Sequence, residues 1–181
     1  MKYDDGERLF KSVSHALNFA YSTAVRTPYS SPVTLLSTTR SEGMFNGWDE
    51  VAGQAGIIFN CLKQLSKHDV FLVEAAFIIP DGLDMAGRKI EALSELVEFI
   101  QKRIPKADIN FITDIVYQWT GGEGYSNEYW SKELKVTERT IRMWRSGNMQ
   151  RGKDGIETML ESDLNIAKSR LATILKGKKL L

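Results

Sequence analysis

The chain has 181 residues, 43% of them apolar and 26% charged, with only 4 Pro and 14 Gly, a composition that excludes overall disorder and allows a buried core. One cysteine excludes an internal disulfide, two histidines offer no soft-metal ligand set, and no run approaches a signal peptide or the ~18 apolar residues of a membrane span. No membrane, metal or cofactor is therefore expected, and a reducing cytoplasm is the expected compartment.

The first element reads as an amphipathic helix from Asp4 to Val25, with Leu9, Phe10, Val13, Leu17, Ala20, Tyr21 and Ala24 at helical spacing. From Arg26 to Gly43 two prolines and many hydroxyl residues break that period, leaving a long loop that is either partner-contacting or a passive linker. A second helix begins near Asn46, a candidate cap, and carries Trp48, Val51, Ala55, Ile58, Cys61, Leu62 and Leu65. Cys61 on that stripe reads as a buried small hydrophobe, since nothing beside it would activate a nucleophile. Ser66 and Asp69 mark the start of a central helix reaching Ile79, and Pro80-Asp81-Gly82 turns the chain. Ile90, Leu93, Leu96, Val97 and Ile100 then mark a long helix ending near Arg103 and Pro105. Asp108 caps the next, with Ile109, Ile112, Ile115, Val116 and Trp119, before a glycine stretch from Gly121 to Gly124 that reads as a hinge. That stretch lacks the GK[ST] ending of a phosphate loop.

From Asn127 to Ser146 the sequence NEYWSKELKVTERTIRMWRS fits a helix-turn-helix. Two helices crossing steeply need apolar contacts, a small residue at their close approach and a cap on the second. Trp130, Leu134, Val136, Ile141 and Trp144 supply the first, Ser131 the second and Thr137 the third. Lys135 stands at the turn position where glycine is common because φ is often positive there. With Ile141 and Trp144 inward, the base-reading candidates are Thr137, Glu138, Arg139, Arg142, Met143 and Ser146. Arginine's planar fork suits a guanine edge or a phosphate pair, and Glu138 either accepts from cytosine or satisfies the helix dipole. Lys132, Lys135, Arg145, Arg151 and Lys153 are candidates for phosphates. A last helix opens at a capping box, Asp154 with Glu157, and its stripe from Ile156 to Leu175 ends before Gly177, packing on the helix-turn-helix or on another subunit.

The net charge of +1 conceals an asymmetry. Ser131 to Lys153 carries +5 and Leu164 to Leu181 another +5, which leaves −9 for the rest. This predicts a basic, phosphate-facing last third on an acidic body suited to a protein partner.

Two segments, LKQLSKHDVFLVEAAF at Leu62 to Phe77 and the motif at Asn127 to Ser146, resemble region 4 of bacterial sigma factors. With an acidic helical body, the chain is also similar to the bacteriophage late-gene antitermination proteins called Q. The resemblance implies binding of a promoter-near DNA element and capture of paused bacterial RNA polymerase in the host cytoplasm.

The expectation is an all-α fold: a multi-helix body over residues 1–104 for RNA polymerase or another partner, and a DNA-binding region over 105–181 with a C-terminal helix-turn-helix and a long final helix. The function expected is that of a non-enzymatic, sequence-specific transcription regulator of phage or prophage type bound to double-stranded DNA, an antiterminator. The alternatives are a simple repressor or activator, and an adaptor that does not bind DNA. Enzymatic chemistry would need a convergent acid–base or nucleophile cluster, and none is visible in the spacing. A homodimer meeting a palindrome is compatible with the motif, although no heptads mark a seam.

Overall fold

The computed structural model describes residues 9–26, 47–148 and 153–181. Its helices are α1 (Val13–Arg26), α2 (Gly47–Leu62), α3 (Lys67–Phe77), α4 (Leu83–Arg103), α5 (Ile109–Trp119), α6 (Asn127–Glu133), α7 (Glu138–Ser146) and α8 (Ile156–Gly177). Between α7 and α8, β1 (Gly147–Asn148) and β2 (Lys153–Asp154) pair as a two-residue antiparallel ribbon. The fold is all-α, as the helical periodicity requires.

Helix starts follow local chemistry where a short polar side chain can reach back to a free N–H. The Ser66 hydroxyl accepts from Asp69 N, and Asp108 accepts from Asn110 N and Phe111 N. Two other starts differ from expectation. The first helix, expected from Asp4, begins at Val13: residues 9–12 are not helical, Ser12 Oγ accepts from His15 N in the first turn, and residues 1–8 lie outside the described residues. Phe10 precedes it, buried, and donates its N–H to Leu180 O at 3.0 Å, tying this segment to the C-terminal end. The box of Asp154 and Glu157 does not form: Asp154 lies in β2, Gly155 is the cap residue of α8, and Glu157 binds α7 instead. Asn46 and the loop after Arg26 lie outside the described residues.

Three helix ends share one device. In each, two N–H groups past the last turn return to carbonyls within it, which requires a left-handed residue between them. Gly121 fills that place after α5, Lys135 after α6 and Lys179 after α8. Gly177 is therefore still helical, and the lysine end is no free tail, because Leu180 is buried behind it. The Gly121–Gly124 stretch, expected as a hinge, packs closely: a Cβ at Gly122 would meet Tyr117 and one at Gly124 would meet Gln118. It returns onto α5, where Tyr125 N donates to the Asp114 carboxylate.

The core is one cluster from Phe10 to Leu180, and α8 is its spine. Ile156, Leu160, Leu164, Ala167, Leu171 and Leu175 bury one stripe against α1, α2, α3, α5 and α7. The boundary near residue 104 is thus a turn in the chain within a continuous core. The α8 stripe is satisfied inside the chain. Cys61 is buried on α2, where burial pushes its thiol up, as befits a packing residue. Among the described residues, no helix is long and apolar enough to cross a membrane.

Not every apolar position points inward. Ile90 is 64% exposed and Ile109 53%. Both lie along one open edge of the α4–α5 seam, α4 having 21 residues and α5 11.

Candidate nucleic-acid interface

α6 and α7 are short helices joined at Leu134–Thr137, and each has its own hydroxyl cap. Ser126 Oγ accepts from Tyr129 N and Thr137 Oγ1 from Thr140 N. Helices of 7 and 9 residues do not hold alone, so packing must fix them. Trp130 and Ile141 are buried, while Leu134, Val136 and Trp144 are half-buried against the core, all five on the inner side as the spacing requires. Phe111 of α5 meets Trp130 edge-on at 5.6 Å and Trp144 at 6.0 Å. The turn forms with Lys135 at φ 53°, the left-handed geometry that the glycine-preferring position implied.

A polar seam completes the anchoring. Asp114 on α5 accepts from Trp130 Nε1 at 2.6 Å and from Gln118 Nε2 at 2.8 Å, besides Tyr125 N. Arg145 on α7 donates to Glu157 at 2.6 Å, Gln118 at 2.9 Å and Asn127 at 3.4 Å, which joins α7 to α8, α5 and α6 at once. Ser146 Oγ donates to the second Glu157 oxygen at 3.0 Å, and Thr158 donates to Ser146 O. Gly155 sits so close that a Cβ there would run into the backbone of Arg145 to Gly147.

This seam engages two of the expected site residues, Arg145 with its guanidinium largely buried and Ser146 while still exposed. Arg145, expected on phosphates, is 23% exposed with its N–H groups turned inward. Ser146, expected on base edges, has its hydroxyl bound to α8. The seam partners Asp114, Gln118, Asn127 and Glu157 escaped the sequence reading. Only tertiary contacts bring them together, and Glu157 carried the competing signal of a capping box.

On the outer side, Glu138, Arg139, Arg142 and Met143 are exposed. Arg142 is paired with Glu138 at 2.9 Å, an exposed i,i+4 contact worth roughly 0.3–0.5 kcal/mol, which a better acceptor displaces easily. Arg139 has no partner among the described residues. Thr137 is exposed, its hydroxyl shared between the cap and Thr140 Oγ1 at 3.0 Å. Lys135 is exposed at the turn, and exposed Lys132 on α6 pairs with Glu128 at 2.6 Å, which holds the Glu128 carboxyl below its usual range and raises the lysine. Arg151 lies outside the described residues; Lys153 contributes its backbone to β2, paired with Asn148.

The two basic segments do not form one surface. Arg170 binds buried Asp69 of α3 at 2.6 Å, and Lys168 lies over Phe77. Lys178 and Lys179 follow the far end of α8, roughly 30 Å along its axis from Glu157, which touches Arg145. Compared with known proteins, the chain matches no family model, no curated protein and no solved structure.

Proposed function

We propose that the chain is a sequence-specific, double-stranded-DNA-binding transcription regulator without enzymatic activity, with the outer edge of α7 as its reading surface. One observation carries this reading: Arg139 and Arg142 are exposed on a short helix whose opposite side is fixed by Ile141, Trp144 and the Arg145 seam. A pair of guanidinium forks, three residues apart on an anchored helix, suits base edges in a major groove. Glu138, Met143 and Thr137 complete the reading edge, and Lys132 and Lys135 serve phosphates beside it.

Retardation of random duplex at low salt, followed by selection from a random DNA pool, tests this reading. The expected result is weak general binding with a steep salt slope and an enriched sequence. An absence of retardation at low salt would establish the adaptor reading instead.

Within this reading we assign the chain to phage or prophage regulators in the bacterial cytoplasm, with antitermination on RNA polymerase as its mode. The similarity of Leu62–Phe77 and Asn127–Ser146 to sigma region 4 supports that assignment. The charge split supports it less, because residues 1–104 carry only −2 of the −9, with −3 over 105–130 and −4 over 154–163. Transcription by purified polymerase through a terminator downstream of the selected site separates the modes. Increased read-through is expected, whereas unchanged read-through with initiation falling in proportion to occupancy establishes simple repression.

A further inference from the structure

A groove of about 420 Å³ runs along the open edge of the α4–α5 seam. Its floor and walls are largely apolar, with Ile90, Leu93, Val97, Ile109, Val116 and Tyr117 as the main lining. Exposed Leu83, at 94%, lies on the same side of α4 by helical spacing. Stripes of this kind normally face a core, and an exposed one is a common docking site for an amphipathic helix. The groove uses a different side of α5 from Asp114 and Gln118, so it is separate from the α7 seam.

Charge selects the occupant. Glu98 lines the groove, and Glu91 is exposed along the same edge of α4. Neither is ion-paired among the described residues. Of the bases on α4, Arg88 is engaged by Glu74 and Lys89 by Ile78 O, while exposed Lys102 stands one turn beyond Glu98, so Glu91 is the carboxylate of this edge with no base free beside it. The α5 wall offers Thr113 and Tyr117 and no charge. A second copy of this chain fits poorly, because pairing the α4 stripes about a two-fold axis would bring these same glutamates together. We propose that the α4–α5 groove is a docking site for an amphipathic helix of a partner protein that carries lysine or arginine along one edge of its apolar face.

The test is selection of helix-patterned peptides of about 18 residues from a display library against the full chain, with apolar residues fixed at i, i+3, i+4 and i+7 and the flanking positions randomised. The expected outcome is enrichment of Lys or Arg on one flank, with binding weakened tenfold or more by Ile90→Asp and, separately, by Glu91→Lys with Glu98→Lys. Both variants should keep the thermal midpoint and the DNA retardation of the parent, since the altered side chains are exposed and remote from α7. Enrichment of acidic or uncharged flanks overturns the proposal, as does binding indifferent to both variants. Sedimentation showing a dimer of the chain that Ile90→Asp dissociates overturns it as well, in favour of a second copy.

Discussion

Arg142 and Arg145 stand three residues apart on one nine-residue helix and have opposite roles. Arg142 is 69% exposed and holds only a surface glutamate, whereas Arg145 is 23% exposed and binds three elements. The outer edge of α7 is thus available to a ligand, and the inner edge is spent on holding the helix in place. A count of basic residues credits both to DNA. Partners and burial separate them, because a guanidinium with its N–H groups engaged by a carboxylate and two amides has little left to offer a phosphate.

The largest expected effect concerns the outer edge. Arg139→Ala and Arg142→Ala should each remove about 1–3 kcal/mol of discrimination between the selected site and a duplex altered at the contacted base, with stability unchanged within ~0.5 kcal/mol. Competition binding and thermal unfolding read these together, and intact discrimination in both variants would remove the outer edge from the reading surface. Arg145→Ala should invert the pattern. Loss of charge-assisted bonds should destabilise the fold by about 2 kcal/mol, and affinity should fall with an unchanged salt slope. A shallower slope with full stability would return Arg145 to the phosphates. Trp130→Phe keeps the ring but leaves Asp114 without its indole donor, so a loss of about 1 kcal/mol is expected in denaturant unfolding. Lys135→Gly has the smallest effect and the opposite sign. Relief of left-handed strain, partly offset by the greater freedom of unfolded glycine, should raise stability by about 0.5–1 kcal/mol, while the salt slope drops by about one unit if Lys135 meets a phosphate.

The groove edge and the α7 edge form a second contrast. One presents glutamates with no ion pair among the described residues beside exposed apolar side chains, the other arginines on an anchored helix. Each is local, and neither follows from the division at residue 104. The −9 that sequence segments assigned to a body is concentrated within residues 105–130 and 154–163, some of it in the seam itself as Asp114 and Glu157.

What the sequence determined by itself is what short-range physics controls. Helical periodicity gave α3, α4, α5 and α8 nearly their full extents, because a buried stripe repeats every 3.6 residues whatever it packs on. Ser66, Asp108 and Thr137 announced their helix starts, because a cap needs only a side chain and an N–H two or three residues on. The positive φ at Lys135 was legible in the same way, as a property of the turn. Only the tertiary structure decided which polar residues face inward. Glu157 had two local options and took the one that α7 supplied, Arg145 turned from solvent to three neighbours, and the lysines after α8 came to lie a helix length away from the reading edge. Ile90 and Ile109 stayed exposed because no other described element packs over that edge of the α4–α5 seam, and which edge of a helix pair is covered is a property of the whole assembly that neither segment encodes alone.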